Sequence, residues 1–214
     1  MNTRDILIKG AKQLNVALSS EELDLFFTYL KNLQLWSEKV NLTSISEDSE
    51  IVISHFLDSL SIVQFIPDGS KLLDIGSGAG FPGIPLKIVG SSIEVTLIDS
   101  VQKKVYFLLD TIRKLELKQI NAMCCRAESS DNGVQRRYFD FVVTRAIGKI
   151  DYLIKLSFPY IVEEGKIILM RGIKGLEEWS QVKDKIPQDL RLLKFNKLYL
   201  PFGNQQRVIL VIGR

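Results

Sequence analysis

Long apolar runs, cysteine and histidine are all scarce in this chain of 214 residues, and each scarcity excludes a class of protein. No stretch of roughly 18 apolar residues occurs, so the sequence predicts no membrane span, and residues 1–5 lack the apolar core of a signal peptide. One histidine and two cysteines make a poor set of zinc ligands, and the adjacent Cys124 and Cys125 cannot easily bridge. We therefore expect a protein of the reducing cytoplasm that has no metal site.

The composition is that of an ordinary globular protein, with 46% hydrophobic and 25% charged residues. At this length we expect one sizeable α/β domain, with room for a small appendage. Basic residues exceed acidic residues by 28 to 25, which gives a net charge of +3. Such a charge is compatible with an anionic partner but does not require one.

Helical patterns dominate residues 1–66, which we interpret as an N-terminal helical extension. Ser19 and Glu22 form a capping-box pattern, and apolar residues follow them at helical spacing. The turn Pro67-Asp68-Gly69 marks a boundary, after which strands and helices alternate through residues 67–214.

This alternation predicts a doubly wound, Rossmann-like α/β fold, because strands separated by helices pair in parallel through right-handed crossovers. Two strands at the end follow one another without a helix, and they predict an antiparallel hairpin at one edge. We expect a mostly parallel, seven-stranded sheet with an antiparallel edge strand. The predicted strands lie at residues 71–75, 94–98, 120–125, 139–144, 166–170, 192–200 and 207–212.

A glycine-rich turn follows the first predicted strand and is the most informative part of the chain. Asp74 ends an apolar run, and Gly76, Gly78, Gly80 and Gly83 follow before an apolar helix. Glycines let the backbone pass close to a ligand, and the N–H groups of the following helix point at the same place. The turn therefore predicts a nucleotide-sized pocket at the carboxyl end of the strand.

Two ligands compete for this pocket. In one frame Gly78, Gly80 and Gly83 fit the dinucleotide fingerprint G-x-G-x-x-G, but that frame begins two residues late. Counted from the strand end, Gly76, Gly78 and Gly80 resemble motif I of class I S-adenosylmethionine-dependent methyltransferases. Asp99 ends the second strand and can accept hydrogen bonds from both ribose hydroxyls in either case.

The segments around the later strands narrow the chemistry. No Gly-Lys-Ser/Thr pattern occurs, which argues against phosphate transfer. Residues 144–147 (Thr-Arg-Ala-Ile) follow the fourth strand, where amino-methylating enzymes carry Asn/Asp-Pro-Pro-Tyr/Phe. Cys124 and Cys125 lie in the third strand, not at the place of a nucleophile for pyrimidine methylation, so we interpret them as buried thiols.

Arg145 stands out because open sheets bind ligands at the carboxyl edge, where this residue follows the fourth strand. Its guanidinium can hold a methionyl carboxylate, a phosphate or a guanine face. The only histidine, His55, lies three residues before Asp58 on an amphipathic helix, far from the turn in sequence. We interpret His55 as a packed or capping residue rather than a general base.

Taken together, these segments closely resemble the RsmG (GidB) family of bacterial 16S ribosomal RNA guanine-N7 methyltransferases. The similarity extends from about Trp36 to the last predicted strand and includes residues 206–212. The motifs occur in the order seen in that family: Asn41-Leu42-Thr43, His55-Phe56-Leu57-Asp58-Ser59, residues 74–85, Leu97-Ile98-Asp99-Ser100 and Thr144-Arg145-Ala146.

The resemblance implies a class I methyltransferase fold and S-adenosylmethionine as the cofactor. The residues that it and motif I assign to the cofactor are Gly76, Gly78, Phe81, Asp99, Ala127, Glu128 and Arg145. Those that it assigns to RNA are Arg145, Arg171 and Arg207, although Arg171 stands where a lysine is common. The implied partner is 16S ribosomal RNA or the small ribosomal subunit, approached by a monomer in the cytoplasm.

The implied reaction fits the scarcity of acid–base groups in the sequence. Guanine N7 carries a lone pair and no proton, so its attack on a sulfonium methyl group requires no general base. We expect catalysis by alignment and electrostatics, with no catalytic residue beyond a contribution from Arg145. Three alternatives stay open at this point: a small-molecule methyltransferase, a nicotinamide-dependent oxidoreductase and a non-catalytic RNA-binding module.

Overall fold

A computed structural model of the chain describes residues 1–145 and 148–214. Ala146, which is part of the Thr144-Arg145-Ala146 motif, lies with Ile147 outside the described residues. The N-terminal part is helical, as predicted. Its elements are α1 (Thr3–Gln13), α2 (Ser20–Ser37), α3 (Asp48–Ile51), a π-helical turn (Val52–Leu57), α4 (Asp58–Leu60) and a 3-10 turn (Val63–Phe65).

The start of α2 follows from local sequence. The N–H of Glu22 donates to Ser19 Oγ at 3.1 Å, and the N–H of Ser19 donates to Glu22 Oε2 at 2.7 Å. This is the predicted capping box, which satisfies two backbone donors that a helix start otherwise leaves unpaired.

Seven strands and four helices make up most of the described part of the chain after residue 70. The strands are β1 (Lys71–Ile75), β2 (Glu94–Asp99), β3 (Ile120–Cys124), β4 (Phe139–Arg145), β5 (Ile161–Gly172), β6 (Arg191–Tyr199) and β7 (Gln206–Gly213). The helices are α5 (Gly83–Val89), α6 (Gln102–Lys114), α7 (Ile150–Ser157) and α8 (Gly175–Val182), with 3-10 turns at Phe158–Tyr160 and Lys183–Lys185. Within the described ranges, no helix combines the length and the apolar character that crossing a bilayer requires.

The strands form one sheet in the order β3-β2-β1-β4-β5-β7-β6. The strands from β3 to β5 pair in parallel, whereas β7 runs antiparallel to both β5 and β6. This confirms the predicted seven-stranded, mostly parallel sheet that ends in an antiparallel hairpin. Because β6 is reversed twice relative to β5, its carboxyl end lies at the same edge as the carboxyl ends of the parallel strands.

Apolar side chains cover both faces of the sheet. Successive residues of a strand point to opposite faces, so Leu72 joins one cluster and Leu73 joins the other. The first cluster includes buried residues of the N-terminal helices, such as Phe26 and Phe56, together with residues of α5 and α6. The second lies between the sheet and α7 and includes Ile154. Burying one such large side chain contributes about 1.5–3 kcal/mol, so both faces stabilise the sheet.

The turn between β1 and α5 has the backbone that its glycines allow. β1 ends at Ile75, and the φ angles of Gly76, Gly78 and Gly80 are +73°, +58° and +90°. Side chains rarely adopt such angles, so the glycines counted from the strand end are the ones that the turn requires. Gly83 has a different role: a Cβ at this position would lie 2.2 Å from a methyl group of Leu97.

Helix α2 contacts this turn directly through Tyr29. The side chain is fully buried, and its hydroxyl donates to the carbonyl of Ala79. Its ring centroid lies 5.5 Å from that of Phe81, and a Cβ on Gly80 would lie 2.8 Å from its hydroxyl oxygen. The division into residues 1–66 and 67–214 stays a prediction, but side chains from both ranges build the wall of the turn.

The side chain of Asp74 is hydrogen-bonded to the residue at which α5 begins, after the glycine turn. Its Oδ2 accepts a hydrogen bond from the N–H of Gly83 at 2.9 Å, and its Oδ1 has no partner among the described residues. Burial raises the pKa of Asp74 from 3.8 to about 7, and the Gly83 hydrogen bond and the charge of Arg145 oppose this shift only in part. Asp74, the residue before the last one of β1, is therefore about half protonated at neutral pH and largely protonated about one pH unit below it.

We predict that Asp74→Asn becomes more stable relative to the native chain as the pH rises. The carboxyl ionises near 3.8 when unfolded and near 7 when folded, so between these values only the folded chain binds the proton. Native stability therefore falls across this window, whereas an amide keeps an acceptor for Gly83 and does not titrate. Thermal melting at several pH values measures the difference, which should level off above the folded pKa. A difference that does not change with pH would contradict the prediction.

Candidate functional site

A cavity of about 290 Å³ lies at the carboxyl ends of β1 and β2, beside the segment that follows β3. Four of the predicted cofactor residues line it, although they are far apart in sequence: Gly76, Asp99, Ala127 and Glu128. Its volume is near the lower end for small-molecule sites. We call it the β1–β3 cavity.

Asp99 is held in a fixed orientation in this cavity. Its Oδ2 accepts the N–H of Gly78 and its Oδ1 accepts the N–H of Val101, each at 2.9 Å. Each carboxylate oxygen can accept a further hydrogen bond, because it has more than one lone pair. Gly78 therefore acts through Asp99, and the aspartate keeps acceptors for two neighbouring hydroxyl groups.

The far wall of the β1–β3 cavity follows strand β3. Tyr160 donates to the carbonyl of Ala127 at 2.7 Å and so fixes the backbone of this segment. Tyr152 donates to Glu128 Oε1, and this hydrogen bond lowers the pKa of the Glu128 carboxyl. The sequence did not predict Tyr152, because its position on α7 reaches the cavity only through the packing of that helix.

A second cavity, of about 420 Å³, lies at the same edge beside the N-terminal helices. We call it the arginine cavity, because the three arginines predicted to contact RNA line it together with His55 and Asp58: Arg145, Arg171 and Arg207. These arginines come from the ends of β4 and β5 and the start of β7. The structure thus brings together residues that the sequence assigned to one role.

Asp58 joins two of these arginines. Its side chain is only 3% exposed, and its Oδ2 lies 3.2 Å from Arg145 Nη1 while its Oδ1 lies 3.0 Å from Arg207 Nε. One carboxylate thus holds guanidinium groups from two different strands, and these three side chains together keep one positive charge. The spacing of His55 and Asp58 on one helix gives no sign of these two partners, which come from distant strands.

Arg145 also connects the arginine cavity to the glycine turn. Its Nη1 donates to the carbonyl of Ser54 at 3.1 Å, and its guanidinium carbon lies 5.1 Å from the ring centroid of Phe81. Phe81 is buried under this cation, in an arrangement typical of a cation–π contact. Phe81 therefore contacts Arg145, and its role toward the cofactor stays a prediction.

His55 lies close to the turn despite its distance in sequence. Its ring is stacked on Phe81 with centroids 4.6 Å apart, and its Nε2 lies 2.9 Å from Thr43 Oγ1. Burial, with the charge of Arg145, lowers the pKa of His55 to about 3, so the ring is neutral at physiological pH. This agrees with the interpretation of His55 as a packed residue.

Arg171 has a carboxylate partner outside the arginine cavity. Its Nη2 lies 2.6 Å from Glu178 Oε2 on α8, and its Nε donates to the same oxygen at 3.0 Å. The Arg171 side chain is therefore anchored to α8, whereas those of Arg145 and Arg207 are anchored to Asp58.

The interpretation of the cysteines as buried thiols is wrong. Cys124 is exposed and Cys125 is half-buried, because β3 is the outermost strand of the sheet and only one side of it is paired. Cys125 lines the β1–β3 cavity. A strand pattern alone cannot distinguish an edge strand of this kind from a central one.

Solved structures of methyl-transferring enzymes have a similar fold. A SAM-dependent methyltransferase from Aquifex aeolicus matches with a TM-score of 0.60 and 15% identity, covering 76% of this chain and 92% of that chain. The ribosomal protein L11 methylase from Lactobacillus delbrueckii subsp. bulgaricus matches with a TM-score of 0.59 and 14% identity, covering 75% and 78%. At such identities the likeness shows the fold, and it confirms the predicted class I methyltransferase fold.

Sequence comparison identifies the family, whereas the solved structures identify only the fold. The GidB family model, described as rRNA small subunit methyltransferase G, matches residues 22–208. The ribosomal RNA small subunit methyltransferase G of Acetivibrio thermocellus is 38% identical, covering 100% of this chain and 89% of its own length. That of Geobacter sp. (strain M21) is 36% identical, covering 100% and 98%. The resemblance found in the sequence motifs is thereby confirmed, and the chain belongs to the rRNA small subunit methyltransferase G (GidB) family.

Proposed function

We propose that this protein transfers a methyl group from S-adenosylmethionine to N7 of a guanine in 16S ribosomal RNA. The observation that carries the proposal is the position of the β1–β3 cavity and the arginine cavity at the carboxyl ends of the strands, where Arg145 of the arginine cavity contacts Phe81 of the glycine turn. The names of the relatives support small-subunit ribosomal RNA as the substrate. The carboxyl ends of the parallel strands are also where open α/β folds bind their ligands.

The donor set of the β1–β3 cavity fits the nucleoside part of the cofactor. Asp99, oriented by two backbone amides, would accept the ribose hydroxyls, and the segment from Ala127 to Glu128 would accept the amino group of adenine. Gly76 would allow the methionyl part to pass close to the backbone. Bound S-adenosylmethionine supplies a methyl group on a positively charged sulfur.

The arginine cavity fits the acceptor. Arginine is suited to phosphate oxygens and to the O6 and N7 edge of guanine. Among the described residues, Arg145 and Arg207 each contact three hydrogen-bond partners, and each guanidinium carries five N–H groups. His55 is neutral, so it does not serve as the acid in this scheme. The chain contributes by placing a guanine lone pair in line with the methyl group while the cavity walls exclude water.

The direct test is mass spectrometry of nucleosides from 16S ribosomal RNA of cells with and without the gene. We expect one 7-methylguanosine to disappear when the gene is deleted and to return when the native gene is restored. An unchanged 7-methylguanosine content would overturn the proposal, and a different lost methylated nucleoside would overturn guanine N7 as the acceptor.

We predict that Gly76→Asp lowers the affinity for S-adenosylmethionine by about 100-fold or more, while the protein stays folded. The new carboxylate would enter the β1–β3 cavity and lie near Asp99, where it would repel that carboxylate and occupy ligand space. Gly69→Asp is the matched control, because Gly69 also has a positive φ, of +77°, but a Cβ there meets nothing within 4 Å. Calorimetric titration and thermal melting of both variants measure the two effects. Equal affinity in the two variants would mean that Gly76 does not face the cofactor.

We predict that Asp58→Asn lowers kcat by about 10- to 100-fold without weakening RNA binding. Without the carboxylate, Arg145 and Arg207 lose their common anchor, yet the cavity gains a positive charge, so the salt dependence of RNA binding should become steeper. Asp110→Asn is the matched control, since Asp110 also pairs with two cations, Arg113 and Lys114, but on α6. The control should keep the native kcat. A parallel loss of kcat and RNA affinity in Asp58→Asn would indicate general damage to the site.

A further inference from the structure

Two aromatic side chains protrude where β6 turns into β7. Tyr199, the last residue of β6, is 64% exposed, and Phe202 in the following turn is 45% exposed. We call these two residues the aromatic rim. Single exposed apolar residues are common on protein surfaces, so the location and the surroundings of this pair decide whether it has a role.

The aromatic rim lies at the functional edge of the sheet. The carboxyl end of β6 is at the same edge as the carboxyl ends of β4 and β5, which supply Arg145 and Arg171 to the arginine cavity. The turn is also docked there: Gln205 donates to Ser54 Oγ at 3.0 Å and accepts from Arg207 Nη2 at 2.6 Å. The rim therefore adjoins the cavity that is proposed to receive the guanine.

Phe202 occupies a strained backbone position. Its φ is +61°, in the left-handed region that L-residues other than asparagine and aspartate rarely adopt. Stability alone would favour glycine at this position, and a half-exposed phenylalanine recovers little from burial. Backbone strain clusters at ligand-binding sites, and Phe202 is the one aromatic residue with such a φ among the described residues.

The surroundings of the rim include basic and polar groups. Lys197, Tyr199 and Arg207 line one depression of about 360 Å³ together with Ile173 and Glu177. The turn itself carries Asn204 and Gln205. The depression also has the apolar residues Ile173, Leu198 and Val208 in its lining, so the aromatic ring of Tyr199 stands among basic, amide and apolar groups. Aromatic side chains beside cationic and amide groups are typical of surfaces that bind single-stranded nucleic acid.

We propose that Tyr199 and Phe202 stack against nucleobases of the RNA strand that flanks the target guanine; this rests on the proposed function. Every base has a π face, so the rim would hold unpaired nucleotides without reading their sequence. Arg207 would contact the backbone of the same strand from the side of the arginine cavity. The rim thus fixes the strand on one side of the guanine, and Arg145 acts at the guanine itself.

The test uses Phe202→Gly, for which the strain and the stacking predict effects of opposite sign. Glycine relieves the left-handed backbone, so the melting temperature should stay the same or rise. The loss of one stacked base should raise the Kd for protein-free 16S ribosomal RNA about tenfold, and Tyr199→Ala should have a similar effect. Affinity for S-adenosylmethionine and the salt dependence of RNA binding should stay at their native values, because neither ring contacts the cofactor or a phosphate.

Phe195→Ala is the matched control, because Phe195 is 51% exposed on the same strand but lies four residues before its carboxyl end. It should bind RNA with native affinity. Native affinity for protein-free RNA in both Phe202→Gly and Tyr199→Ala overturns the inference, even if activity on assembled subunits falls, since the rim would then contact a protein. The native enzyme is assayed in parallel for methyl transfer to RNA. No methyl transfer by the native enzyme would contradict the proposed function, whereas native RNA affinity in the variants would contradict the stacking role.

Discussion

The carboxylate of Asp58 is the contact on which the functional edge depends. It comes from the N-terminal helices, yet it holds arginines that belong to β4 and β7 on the sheet. A buried ion pair adds little net stability, because desolvating the charges offsets most of their attraction. Its value here is geometric: it fixes two long side chains, which would otherwise sample many rotamers, at one wall of the arginine cavity.

Two further acids, Asp74 and Asp99, shape the neighbouring glycine turn by accepting hydrogen bonds from backbone N–H groups. Asp74 accepts from Gly83 below the turn, and Asp99 accepts from Gly78 above it. The glycines permit the backbone angles, but it is these two carboxyl groups that select one turn conformation among those that glycine allows. Their environments differ, since Asp74 is fully buried and burial raises its pKa to about 7, whereas Asp99 adjoins the open cavity.

The sequence predicted those parts of the fold and site whose causes are local. The end of β1 before Gly76, the acid at the end of β2 and the hairpin of β6 and β7 follow from patterns within a few residues, and all three are in the structure. The family motifs supplied Arg145 and Arg207, but not the reason for their positions.

The features that the sequence did not predict depend on packing between distant segments. Asp58 pairs with Arg145, which is 87 residues away in sequence, and with Arg207, which is 149 residues away. No local sequence pattern predicts a pairing between such distant residues. The exposure of Cys124 depends on β3 being the edge strand, which only the order of the sheet determines. Phenylalanine rarely adopts a left-handed φ, so residue propensities predict a different backbone conformation at Phe202 from the one observed.

The hydrogen bond from Tyr29 to Ala79 bears on where this chain can be divided. Removing the first two helices would leave a carbonyl of the turn without its donor and would expose the ring face of Phe81 and the contact surface of Gly80 to water. A shortened chain that starts near the first strand would retain every glycine of the turn and still lack the Tyr29 side chain that packs against it. Any exchange of the sheet for that of a relative would therefore have to include α2 as well.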